Sequence, residues 1–71
     1  MKLKLTRRIV GKWVTVYFTD VGRRDAVVVD ILTDGKITKQ TQFRVYEPLS
    51  TTTYIVDTDQ IVAVRDYLQP N

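Results

Sequence analysis

The sequence predicts an all-β domain, a single strongly bent sheet of five short strands. Three observations predict it. Apolar and polar side chains alternate through much of the chain with a period of two, the spacing of a strand with one buried face. The segments that alternate are rich in Val, Ile, Thr and Tyr, which suit a pleated surface. Turn-forming residues separate these segments at intervals of about ten positions. With 71 residues the chain is one domain.

Residues 9–19, IVGKWVTVYFT, are the stretch on which the other segments can be laid. The first strand covers residues 11–19, with Val14, Val16 and Phe18 on one face and Trp13, Thr15 and Tyr17 on the other. Residues 20–25, DVGRRD, read as a polar hairpin loop. The second strand, residues 26–32, places Val27, Val29 and Ile31 on one face, opposite Val28 and Asp30. Apolar residues on both faces mark it as a strand from the middle of the sheet. Asp34-Gly35 is the clearest tight-turn signal, and residues 36–46 follow as a long third strand whose middle is polar on both faces. Such a segment lies on an edge or projects past the core.

Pro48 then breaks the pattern, since proline cannot donate to a ladder. The fourth strand is residues 51–56. Residues 57–60, DTDQ, form a short corner, one turn of 3₁₀ helix with Asp57 as its cap. The fifth strand is residues 61–67, with Ile61, Ala63 and Arg65 opposite Val62, Val64 and Asp66. Residues 2–8 contain no Pro or Gly and are open to a short helix or an additional strand. At this length the economical closure is a five-stranded SH3-like barrel, which removes most of the unpaired edge of an open sheet.

A domain this small buries only about 60% of its unfolded surface. The chain has no Cys and no His, which excludes a disulfide framework, a Cys/His zinc site and histidine catalysis. Oligomerisation or an efficient β core is left as the support. No apolar run approaches the length of a membrane span, and residues 1–5 alternate too strictly for a signal peptide, so a cytoplasmic location is expected. There is no Gly-rich phosphate loop and no Ser/His/Asp set, so the chain is expected to be non-catalytic, with no cofactor and no metal.

Net charge is +3 and the isoelectric point about 9.5. Lys2, Lys4, Arg7, Arg8 and Lys12 crowd the first twelve positions, and Arg23-Arg24 stand in the first turn. They form either a solvated surface or a patch that contacts phosphates. Trp13, Tyr17, Tyr46, Tyr54 and Tyr67 can stack bases, or cover a barrel end or a seam between subunits.

Two motifs covering most of residues 9–65 resemble the Sm/LSm superfamily of small RNA-associated β-barrels. The first is Ile9, Gly11, Val14, Val16, Phe18, Asp20 and Gly22, with Val21 as one extra residue in the turn, continuing to Asp34-Gly35-Lys36-Ile37-Thr38 at the spacing of the family's D-x-x-M-N loop, with Ile37 for its Met. The second is residues 56–64, VDTDQIVAV, at the spacing of the family's apolar-R-G-x-x-I-x-x-I. Three departures stand at functional places. The family's second-strand Gly is Val27 or a neighbour, its loop Asn is Thr38, and its Arg-Gly pair is Asp57-Thr58. An Asp cannot stack as a guanidinium does, and it repels phosphate.

The resemblance implies a cyclic homo-oligomer of five to seven subunits, in which the fourth strand of one copy pairs with the fifth of the next. Thr53, Tyr54, Ile55 and Val56 would be one edge; Ile61, Val62, Ala63 and Val64 the other. It also implies single-stranded RNA at Asp34, Lys36, Thr38 and Lys39 together with Asp57, Thr58 and Asp59. The alternative is a barrel of the same fold that self-assembles or binds proteins without nucleic acid. Neither reading involves a membrane.

Overall fold

β2, Gly22–Leu32, is the centre of a five-stranded antiparallel sheet. The computed structural model describes residues 5–33 and 35–65. The other strands are β1, Trp13–Phe18; β3, Gln42–Glu47; β4, Thr52–Asp57; and β5, Ile61–Val64. Their order is β4-β3-β2-β1-β5. A 3₁₀ turn at Arg7–Ile9 precedes β1. A second, Thr58–Gln60, forms the corner between β4 and β5.

The sheet bends because β2 serves two neighbours with different halves. Residues 22–27 pair with β1, from Phe18↔Gly22 to Trp13↔Val27. Residues 27–32 pair with β3, from Val27↔Tyr46 to Leu32↔Gln42. The register shifts between Val28 and Asp30, so Val29 is an extra residue there. Such a bulge kinks the strand and sharpens its twist. The β1–β5 ladder shifts likewise, since Thr15 faces Ala63 while Val16 faces Ile61.

Curvature lets one sheet enclose its own core. Val14, Val16, Ala26, Val28, Phe43, Val45, Val56 and Ile61 come from all five strands and form one buried cluster, which Ile9 joins from the first 3₁₀ turn. No second layer covers them among the described residues, so the sheet curls over its concave face as a barrel-like wall. Phe18 and Tyr54 pack against this cluster, with ring centroids 5.0 Å apart and planes tilted by 50°. The all-β class, the five strands and the alternation in β1 follow the expectation.

Several boundaries and faces do not. The polar run Arg23-Arg24-Asp25 is paired strand, opposite Tyr17, Val16 and Thr15, and the turn shrinks to residues 19–21. Gly22 takes φ 85° there, a conformation that favours glycine. In β2 the bulge turns both Val29 and Asp30 outward and Ile31 inward, so Ile31 shares the core with Val28 rather than a face with Val27 and Val29. β3 begins at Gln42 and not at Lys36, because hydroxyl groups bind the backbone of the preceding residues into a loop. β5 ends at Val64; Tyr67 and Asp66 lie outside the described residues, as do Asp34 and residues 1–4. The bulge at Val62 puts Val64, not Ala63, beside Ile61 on the core side.

Arg24 shows why a charged run stays in the sheet. It stands on the inward face at the open end of the barrel and donates to Glu47 Oε2 at 3.2 Å. Glu47 is 2% exposed. Its Oε1 accepts from Ser50 Oγ at 2.8 Å and from the Tyr54 hydroxyl at 3.4 Å. The Ser50 hydrogen bond, with Arg24 and Tyr54, holds the carboxyl below the ordinary glutamate value against the opposing effect of burial. A depressed native value means the stabilisation is full above the unfolded value and is lost as pH falls through the folded one. Urea midpoints of Glu47→Gln are therefore expected to fall less than wild type between pH 7 and pH 3. Parallel acid limbs for the two proteins would show that this carboxylate contributes nothing.

Candidate nucleic-acid interface

The loop between β2 and β3 and the corner between β4 and β5 are joined by threonine side chains. Thr33 Oγ donates to Lys36 O at 2.6 Å. Thr41, 3% exposed, accepts from Thr38 N–H at 2.6 Å and donates to Lys36 O at 3.3 Å. Thr38 Oγ accepts from Gln40 N–H at 3.1 Å. Thr58 completes the tie: its hydroxyl is shared between Thr38 O at 2.8 Å and Thr41 O at 3.0 Å, and its N–H reaches Thr41 O at 3.1 Å. A loop held this way keeps its shape without strand pairing.

Between the two lies a cavity of about 370 Å³, walled by Leu5, Ile37 and Ile61 and rimmed by Thr38, Lys39, Thr58 and Asp59. A second depression, about 590 Å³, adjoins it through Thr38 and is lined by Leu32, Thr33, Lys36, Gln40 and Thr41. Both volumes fall in the small-ligand range. Gly35 adopts φ 136°, a conformation a side chain would strain, and Arg7 Nη2 lies 3.8 Å from where its Cβ would stand. The N-terminal 3₁₀ turn thus brings a guanidinium to the same loop.

Charges sort themselves around this site. Arg24, Arg44 and Arg65 are engaged with Glu47, Asp30 and Asp25 on the sheet. Arg7, Arg8, Lys36 and Lys39 make no ion pair among the described residues. Unpaired cations beside a polar loop favour an anionic ligand. No three His, Cys, Asp or Glu side chains cluster to hold a metal ion among the described residues. Nor is any helix there long and apolar enough to cross a membrane.

Of the residues expected at an RNA site, Lys36, Thr38, Lys39, Thr58 and Asp59 line the two depressions. Asp34 lies outside the described residues. Asp57 lines neither depression. It sits opposite Gln42, whose Nε2 donates to it at 3.4 Å, and its own N–H is taken by Gln60 Oε1 at 2.9 Å. The wall residues Leu5 and Ile37 were not among the expected site residues, and Ile61 was expected only at an assembly edge. Their signal was weak: three apolar side chains dispersed over 57 positions carry no local pattern.

The expected self-assembly edges, β4 and β5, are the two ends of the sheet order and do not pair with each other. Thr53, Ile55 and Val62 are exposed, Tyr54, Ala63 and Val64 half-buried, and Val56 and Ile61 buried in the chain's own core. Only the backbone edges and the outward side chains are therefore open to another copy. Comparison with family models, with curated proteins and with solved structures finds no match for this chain.

Proposed function

We propose that this chain is a non-catalytic, Sm-like RNA-binding module that assembles into a ring through β4 and β5 and takes single-stranded RNA at the Thr38–Thr58 site. One observation carries the reading: two loops 17 or more residues apart in sequence, expected to share a ligand, are hydrogen-bonded to each other around a cavity flanked by Arg7, Lys36 and Lys39, which make no ion pair among the described residues. The apolar walls take a base face, and Lys36, Lys39 and Arg7 take phosphates. Assembly supports a small domain without disulfides by burying its sheet ends. A module that only self-assembles is the second reading, favoured by Asp57-Thr58 at the place of an Arg-Gly pair.

Anisotropy of labelled single-stranded RNA, titrated at several salt concentrations, tests the proposal. Each phosphate contact to a single strand contributes about 0.7 to the slope of log affinity against log salt. The double variant Lys36→Ala/Lys39→Ala is expected to lower that slope by about 1.4 for each engaged subunit. Native mass spectrometry of the same samples counts subunits. A monomer that binds no RNA at low salt overturns the whole reading, and a ring indifferent to RNA leaves the second one.

A further inference from the structure

We propose that the cavity between the loop and the corner selects guanine over the other bases. The inference rests on the nucleic-acid reading above and adds the identity of the base. The cavity's hydrogen-bonding groups decide it. Thr58 spends its only proton on Thr38 O and Thr41 O, so it turns lone pairs, and no donor, toward a ligand.

Asp59 is exposed on the rim and has no hydrogen bond or ion pair among the described residues. Ionised, it accepts only. Thr38 Oγ already accepts from Gln40 N–H, and its proton binds no described acceptor. Lys39 adds a cation on the same rim. The site therefore offers a pair of acceptors beside a hydroxyl donor and an ammonium group.

Guanine complements that arrangement. Its N1–H and N2–H groups are adjacent donors that a carboxylate accepts in parallel, and its O6 and N7 are acceptors for a hydroxyl or an ammonium. Uracil offers one donor between two carbonyl oxygens, which a carboxylate repels. Adenine and cytosine each offer an amino donor beside a ring nitrogen lone pair, so one carboxylate oxygen is left facing a lone pair. A well-formed bidentate contact discriminates by roughly ten-fold or more. The aliphatic walls Leu5, Ile37 and Ile61 tolerate any base face, so the selection rests on the rim.

The experiment uses the full chain and four heptanucleotides, UUUNUUU with N as G, A, C or U, which avoids guanine quadruplexes. Anisotropy is expected to place the G-containing RNA about ten-fold or more below the others in Kd. Asp59→Asn presents one donor and one acceptor, the complement of uracil, and is expected to erase the preference or turn it to U, with the thermal melt unchanged. Equal affinities, or a G preference that survives in Asp59→Asn, overturn the inference and leave the RNA-binding reading standing. Absence of binding by all four RNAs overturns both.

Discussion

Replacing Phe43 with Ala is expected to bring this domain to the edge of unfolding. Phe43 is wholly buried near the start of β3, opposite Ile31 on β2 and Val56 on β4. Its ring is the largest fully buried side chain among the described residues. Removing a buried Phe costs about 3–5 kcal/mol, from lost transfer energy and the cavity left behind. A chain of this length has only about 4–10 kcal/mol in total, at 0.05–0.15 kcal/mol per residue. Urea unfolding followed by the fluorescence of Trp13, the only Trp, gives the test. With a slope near 1 kcal/mol per molar urea, the midpoint is expected to fall by about 3 M or more. Phe43→Leu keeps most of the volume and is expected to lose less than half as much. A midpoint unchanged in Phe43→Ala would mean that the core is not centred on this residue.

Thr41→Val is expected to cost about 1–3 kcal/mol although it changes the side chain by one polar atom. Val fills the same space, so the loss isolates the hydroxyl. That hydroxyl is the acceptor for Thr38 N–H and a donor to Lys36 O, and the site is 3% exposed. Without it a backbone donor is left in a place where water is scarce, and the penalty of an unmade bond applies. Hydrogen exchange at the Thr38 amide is expected to accelerate with the drop in urea midpoint. RNA affinity is expected to fall with it, since the loop's shape forms the cavity rim. Thr19→Val, in the exposed turn between β1 and β2 and without a side-chain hydrogen bond among the described residues, is the control and is expected to stay within about 0.5 kcal/mol of wild type. Equal effects at both positions would mean that the threonine bonds do not hold the loop.

These two residues also mark what was legible beforehand. Val14-x-Val16 and Phe43-x-Val45 announce inward faces through strict alternation, and both pairs are buried. Thr41 does not announce itself. Residues 36–41, KITKQT, have strand-like composition, and only the bonds that Thr33, Thr38, Thr41 and Thr58 make turn the segment into a loop. Period and propensity do not register such bonds. Arg23-Arg24-Asp25 misled in the opposite direction. Three charges look like a loop, yet Arg24 is anchored by a carboxylate 23 residues away. Of the residues on the cavity rim, Thr38, Thr58 and Asp59 are singled out beforehand only by the spacing of a family resemblance, and Lys39 only by its charge. The walls are not legible, because Leu5, Ile37 and Ile61 come together around the cavity only after folding.

The two bulges have a further effect on how the wall is built. Val28 and Ile31, and again Ile61 and Val64, face inward at a spacing of three, with two outward residues between. Excising Val29 would leave Val28 opposite Val45 and Asp30 opposite Arg44, so inside and outside would stay as they are. What would vanish is the kink, and with it the arc that lets a lone sheet wrap its own contents. Curvature and interior composition are thus assigned to different amino acids, and either can be altered without rewriting the other.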